Sequence, residues 1–399
     1  MLTRNASDVE SDAEAALKRA KLNRSDINRP GFTRKMVKPK SKKDKLSWEY
    51  FTPAGKLVTD NDTIDCFNKM VIPPAWEDVW LSPDRRGHLQ ATGRDTKGRV
   101  QYRYHDDWTA IKSVMKFDGL VRFGEKLPKI RQRVDSDLQL PYKKRSKMGL
   151  HRVSAVVVHL MDTVHIRVGS DEYAKKNKSY GLTTLKEGHF KRIKGEKAEG
   201  RHDAHFLFDG KSGKTWDLIV EDDDVVDLIQ ASRLVGGADK NQDLFRYETD
   251  AGGDADLKAE HINQYIQDAT GLGFTAKDFR TWAATWKTGS RFAALLGGVD
   301  EDWINGLKKN DALKKLFAKG LDLSTEKSRQ TAMLSIIDTV SGDLGNTRAV
   351  CRSSYIHPSF LDDWMDTSFD DKWSAAAKKK KINGLNRDES STIHYLLDS

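Results

Sequence analysis

His88-Leu89-Gln90-Ala91-Thr92-Gly93-Arg94-Asp95-Thr96-Lys97-Gly98-Arg99-Val100-Gln101-Tyr102-Arg103-Tyr104 alternates, turns, and alternates again. Apolar and polar residues exchange with a period of two on either side of a Gly-Arg-Asp-Thr-Lys-Gly turn, the pattern of a hairpin. Similar pieces precede it. Trp48-Glu49-Tyr50-Phe51 runs into a turn at Pro53-Ala54-Gly55 and then Lys56-Leu57-Val58. Val79-Trp80-Leu81 runs into the turn Pro83-Asp84-Arg85-Arg86-Gly87. Residues 46–115 therefore read as a β-rich N-terminal domain, a small antiparallel sheet or partial barrel.

Beyond about residue 116 the period changes from two to that of a helix. Leu127 to Leu138 is charged and amphipathic, and residues 116–140 read as a connecting, hinge-side segment. Val153, Val156, Val157, Leu160 and Val164 share one helical face, which predicts a long helix over 144–166. Three strands are predicted at 179–186, 189–193 and 204–220. Helical patterns follow at 221–234, 256–269, 276–285, 289–296, 301–318, 325–340 and 357–376. No internal repeat occurs. The fold class is α+β, with a larger, mainly helical domain over 141–376 that carries a small three-stranded sheet.

The chain has 399 residues, enough for two or three packed units. Its 38% apolar and 32% charged content fits a globular protein with a very polar surface. No run of 18 or more apolar residues predicts a membrane span, so no membrane partner is expected. The N-terminus lacks the apolar core of a secretory signal. Cys66 and Cys351 are the only cysteines; two distant ones make neither a disulfide framework nor a zinc site, and a reducing interior is the default. The net charge of +9 points to a polyanionic partner. Residues 1–45 hold thirteen Lys/Arg against six Asp/Glu and so supply most of it. This segment reads as a flexible charged arm, either a solubilising tail or a DNA tether, and 377–399 reads as a basic tail. HExxH, CxxC and Walker A patterns are absent, so neither a metal nor a nucleotide cofactor is expected.

Five residues are candidates for chemistry. Arg167 follows an apolar helix in Val164-His165-Ile166-Arg167-Val168-Gly169, where an arginine also offsets the helix dipole. Lys211 sits at a hairpin tip, Gly210-Lys211-Ser212-Gly213, where a lysine is also simply solvated. Arg280 lies in Lys277-Asp278-Phe279-Arg280-Thr281-Trp282, near the start of a helix with a buried face, and an arginine there needs an anion or a hydrogen-bonded partner. Asn346 and Tyr355 belong to Gly345-Asn346-Thr347-Arg348-Ala349-Val350-Cys351-Arg352-Ser353-Ser354-Tyr355-Ile356-His357-Pro358. There a Gly-Asn-Thr turn opens a short helix that Tyr355 closes. Alone, the asparagine is a cap and the tyrosine is core. As a set they suit phosphodiester cleavage without metal. Two guanidiniums clamp the non-bridging oxygens, a phenol attacks, and a lysine gives a proton to the departing oxygen.

In these residues and their order, the chain resembles the type IB DNA topoisomerases of the poxvirus and bacterial branch over roughly residues 46–370. The motifs are Ile72-Pro73-Pro74-Ala75-Trp76, Gly93 to Tyr104, Arg167-Val168-Gly169 with Tyr173, Ser179-Tyr180-Gly181-Leu182-Thr183-Thr184-Leu185, Lys277-Asp278-Phe279-Arg280-Thr281, and Asn346 with Ser354-Tyr355-Ile356-His357-Pro358. The resemblance implies that Tyr355 is the nucleophile, that Arg167 and Arg280 stabilise the transition state, and that Lys211 is the general acid. Asn346 stands where poxviral members carry histidine, which leans towards the bacterial type. Its amide keeps one hydrogen bond to the phosphate. Gln101, Tyr102, Tyr104, Tyr173 and Lys277 match DNA-contacting positions. The family further implies a clamp around double-stranded DNA, a monomer, no cofactor, and a bacterial cytoplasmic location at the nucleoid, or a viral factory or virion if the source is viral. Tyrosine recombinases share the Arg–Lys–Arg–Tyr logic. They usually carry histidine where Lys277 stands, and the N-terminal motifs are not theirs.

Overall fold

A computed structural model describes residues 6–37, 47–140, 143, 146–195 and 202–398. The chain divides into two compact units, with the boundary between Asp118 and Gly119. In chain order the N-terminal unit holds α1 (Ala6–Ala20), β1 (Phe32–Val37), β2 (Ser47–Phe51), α2 (Asn61–Lys69), β3 (Glu77–Leu81), β4 (Leu89–Arg94), β5 (Val100–Tyr104) and α3 (Asp106–Asp118). The second unit holds α4 (Leu120–Leu138), α5 (Leu150–Val164), α6 (Asp171–Asn177), β6 (Phe190–Lys194), β7 (His202–Gly210), β8 (Lys214–Val220), α7 (Asp223–Arg233), β9 (Arg246–Glu248), β10 (Asp254–Asp256), α8 (Ala259–Thr270), α9 (Ala276–Gly297), α10 (Glu301–Asn305), α11 (Asp311–Ala318), α12 (Glu326–Asp343), α13 (Arg348–Ser354), α14 (Pro358–Asp366), α15 (Phe369–Lys378) and α16 (Arg387–Leu397).

The N-terminal unit is a five-stranded antiparallel sheet in the order β2-β1-β3-β4-β5. The alternation in β3 buries Val79 and Leu81. These join Tyr50, Ile72, Ala91 and Phe67 of α2 in one core. Asp60 caps α2, accepting from Thr63 N at 2.9 Å.

The expected flexible arm over 1–45 is corrected by this sheet. Residues 32–37 form one of its inner strands, β1, and α1 packs Leu17 and Ala20 with Leu22 against Trp108 and Ile111. Abundant charge hid a helix with a narrow apolar stripe. One of those charges is structural. Arg34 donates to the carbonyls of Ile72 (3.1 Å) and Pro73 (2.6 Å) and lies 3.8 Å from the Trp48 ring centroid, so it binds the Ile-Pro-Pro motif. Residues 38–46, with five of the arm's lysines, lie outside the described residues.

The second unit is mainly helical with a small three-stranded sheet, β6-β7-β8, and a two-stranded ribbon, β9-β10. Most of the expected hinge at 116–140 is instead α4, a core helix that buries Phe123, Leu127, Ile130 and Val134. Phe123 meets Phe279 edge-on at 5.1 Å. The expected strand at 179–186 is also corrected. It is irregular chain with a short 3₁₀ turn at Leu182–Thr184, and the third strand comes from splitting 204–220 at Lys211–Gly213.

The expected tail at 377–399 contains α16, whose Ile393 and Tyr395 are buried. Lys378 to Lys381 masked its start signal, the reciprocal cap of Asn386 and Glu389. Glu389 is buried and pairs with Arg131 at 2.7 Å, while Arg131 also pairs with Asp162 at 2.7 Å. Trp282 donates to Glu389 at 3.3 Å. Glu389→Ala should therefore lower stability by about 3 kcal/mol, read as a lower urea midpoint, because it removes one half of the reciprocal cap and leaves a half-buried guanidinium short of one partner. An unchanged midpoint would show that α16 is not fixed through this pair.

Candidate active site

The site is assembled by chain ends and tight turns of the second unit. Helix α5 ends as His165 takes the left-handed conformation (φ 59°). The chain then runs extended through Arg167, whose carbonyl accepts from Leu182 N at 2.8 Å. Val168 O accepts from Thr183 N at 2.7 Å. A Cβ on Gly181 would lie 2.6 Å from Arg167 O and from Gly169 Cα, and Gly169 has φ +105°. Only glycines allow these two segments to lie so close, which is why the Arg-Val-Gly and Ser-Tyr-Gly-Leu-Thr-Thr motifs go together.

Hairpin β7–β8 carries Lys211 at its tip. Beside the tip it is tied to the same loop, as Tyr180 N donates to Asp209 O at 2.8 Å. Helix α9 starts at Thr275, whose N–H donates to Asp278 at 2.7 Å. This sets Lys277 at the helix start and Arg280 one turn in. Helix α12 ends, Gly345 turns the chain at φ 59°, and Thr347 caps α13 by accepting from Val350 N at 3.2 Å. Tyr355 closes α13, as the sequence predicts. Thr285 Oγ1 donates to Tyr355 O (3.1 Å) and accepts from His357 N (3.2 Å), fixing the tyrosine's backbone to α9.

Arg167, Tyr173, Lys211, Lys277, Arg280 and Tyr355 line one cleft of about 290 Å³. Arg280 is buried and its guanidinium carbon lies 5.3 Å from the Tyr355 ring centroid. It donates to the carbonyls of His165 and of Leu344 (2.6 Å) and to Asn346 Oδ1 (3.2 Å). Arg167 donates to the same Oδ1. Asn346 does not line the cleft; it lies behind it, 2% exposed, with its oxygen shared by both arginines. Its Nδ2 is buried without a hydrogen-bond partner among the described residues, a donor still available.

The cleft lining holds four cations and no carboxylate. Among the described residues none of the four has an ion pair within 4.0 Å. The guanidiniums rest on neutral oxygens, so this is a site built for an anion. Burial and the neighbouring Arg167 push Arg280 down to about 10. Burial raises the Tyr355 phenol, but Arg280, Arg167 and Lys277 together outweigh it and hold the phenol below its ordinary value. Among the described residues, no group of three or more His, Cys, Asp or Glu is arranged to hold a metal ion.

Two lysines were missed by the sequence reading. Lys214 and Lys309 (2.7 Å) both donate to the carbonyl of Asn346. Burial and Lys309 push Lys214 down to about 8. A backbone carbonyl as the shared acceptor leaves no side-chain pattern to detect. The remaining expected contacts, Gln101, Tyr102 and Tyr104, lie on edge strand β5 of the N-terminal unit. Tyr102 and Tyr104 are exposed and their rings stack at 6.1 Å, while Gln101 donates to Asp95 at 2.9 Å.

The family model described as eukaryotic DNA topoisomerase I, catalytic core, matches residues 106–382. That of the bacterial DNA topoisomerase IB N-terminal domain matches residues 47–95. The DNA topoisomerase 1B of Acanthamoeba polyphaga mimivirus is 32% identical over 245 residues, which cover 60% of this chain and 68% of that protein.

Proposed function

This chain belongs to the type IB DNA topoisomerase family, and from that premise we propose that it relaxes positive and negative supercoils by breaking and rejoining one strand of duplex DNA, with neither ATP nor metal required. The observation that carries the reading is the cleft itself. A phenol lies beside four cations that, among the described residues, have no acid to neutralise them, so the missing negative charge is that of a phosphodiester.

In this mechanism the Tyr355 phenol, favoured as its anion by the surrounding cations, releases its proton to solvent; its oxygen attacks phosphorus and the bond to the 5′-oxygen breaks. A 3′-phosphotyrosyl link forms, and Lys211 gives the departing oxygen its proton. Arg167 and Arg280 hold the non-bridging oxygens, and Asn346, behind the cleft, holds both guanidiniums through its Oδ1. The covalent link conserves the energy of the phosphodiester. The free 5′-hydroxyl end rotates, then attacks the phosphotyrosine to reseal the strand by the reverse path. The two units would act as a clamp on the duplex, with Gln101, Tyr102 and Tyr104 on one side and Tyr173 and Lys277 on the other. The working species is a monomer.

The test is plasmid relaxation in EDTA without nucleotide, from substrates of either supercoil sign. Both should relax through a ladder of single linking-number steps with no partner site. A requirement for magnesium or ATP, action on one sign only, or joining of two defined sites without relaxation would overturn the proposal.

A further inference from the structure

We propose that Tyr173 is a positioning residue for Lys211: its ring face holds the hairpin lysine's ammonium in the cleft, aimed for proton delivery. The inference rests on the reading of Lys211 as general acid. Lys211 stands at the tip of a hairpin on a four-carbon stem, the arrangement in which a lysine loses most by being fixed. Its Nζ lies 5.5 Å from the Tyr173 ring centroid, within the range of a cation–π contact. Among the described residues it has no other hydrogen bond or ion pair.

Ring and hairpin are held in one frame. Helix α6, which carries Tyr173, is anchored at its start by Asp171 to Lys258 (3.1 Å). It ends at Lys178 in the left-handed conformation, and two residues later Tyr180 N bonds to Asp209 O, at the top of β7 beside the tip. The distance between ring and tip is therefore set by short, tied segments.

The choice of an aromatic face has a chemical consequence. A carboxylate would orient the ammonium but would also bind its protons and raise its pKa. A ring quadrupole attracts the charge while accepting no conventional hydrogen bond, so the N–H groups stay free to point at the leaving oxygen. Family resemblance gives Tyr173 a contact with DNA. The present role uses the ring, a different part of the same side chain, and acts on the departing 5′-oxygen.

The experiment compares Tyr173→Phe and Tyr173→Leu in single-turnover cleavage. Each is run on a duplex with the normal bridging 5′-oxygen and on one with sulfur there, a leaving group that needs no proton. Tyr173→Phe keeps the ring and loses only the hydroxyl with its DNA contact, so it sets the reference rate for the ring's effect. Tyr173→Leu should be about three- to thirtyfold slower than Tyr173→Phe with oxygen, and equal to it with sulfur. A Leu variant no slower than the Phe variant with oxygen would overturn the proposal, as would a difference between the two that persists with sulfur, since neither would come from proton delivery. Lys211→Ala is the control. If sulfur rescues Lys211→Ala but not Tyr173→Leu, only the present proposal falls. If Lys211→Ala shows no rescue, the general-acid reading falls and takes the proposal with it.

Discussion

Phenylalanine at position 355 should leave duplex binding within about twofold of the parent and lower strand cleavage by 10⁴-fold or more, the order seen when a nucleophile is removed outright. The change deletes a single oxygen. The ring keeps its place beside Arg280, and the backbone keeps its two bonds to Thr285, so the cleft should remain formed. Binding and chemistry are then separable in one variant. Filter or gel binding measures the first, and denaturing electrophoresis of the covalent adduct measures the second. Relaxation by the phenylalanine protein would mean that another group attacks phosphorus, whereas loss of binding together with cleavage would mean that Tyr355 is structural.

Arg280→Ala should lower cleavage by about 10²- to 10³-fold, the loss expected for one buried donor to a transition-state anion. Part of the effect lies in what the guanidinium holds together. Without it the carbonyls of His165 and Leu344 lose a charged donor, and Asn346 Oδ1 keeps only Arg167. Leaving those buried acceptors short should cost about 1–3 kcal/mol, read as a lower urea midpoint. Lysine should rescue little, because one ammonium cannot reproduce a fork that reaches carbonyls on two different segments.

The pH dependence carries a definite sign. Burial raises the Tyr355 pKa, and Arg280 is the largest of the charges that pull it down. Removing Arg280 leaves the burial opposed only by the weaker pull of Arg167 and Lys277, so the phenol titrates higher. The rising limb of the cleavage rate should shift to higher pH in the alanine variant relative to the parent. A shift to lower pH would mean that this limb reports some other group.

Much of this site is readable in the sequence because its parts are local. The stretch from Gly345 to Pro358 holds its own turn residue, cap, short helix and stop, and the structure follows them in order. Arg167-Val168-Gly169 and Tyr180-Gly181-Leu182 are legible as motifs. Their reason, two backbones in contact, appears only in three dimensions. Asn346 is a different case. As a residue type it offers a donor to phosphate, but its oxygen is committed to Arg167 and Arg280, and only the structure shows that Nδ2 is the end left over.

Two of the misreadings in the fold share a cause, charge that conceals packing. The arm at 1–45 contains β1 and α1 because a strand needs only one buried face, and a basic outer face looks like a tail. The same holds for α16, which sits behind four consecutive lysines and is fixed by a buried ion pair between Glu389 and Arg131 that no local pattern announces. The strand expected at 179–186 failed differently. Its apolar residues are buried against the Arg167 segment by 3₁₀ and loop hydrogen bonds, and periodicity alone does not separate that from a strand.

The central claim is that one phenol becomes joined to a DNA phosphate inside a cleft lined by four cations. Its most direct measurement is to trap the protein on duplex DNA by rapid denaturation, digest both polymers, and sequence the adduct peptide by mass spectrometry. The result predicted is a nucleotide phosphate on Tyr355 joined through its 3′ side, with a free 5′-hydroxyl on the other strand end. A nucleotide on any other residue, or linkage through the 5′ phosphate, would contradict the account.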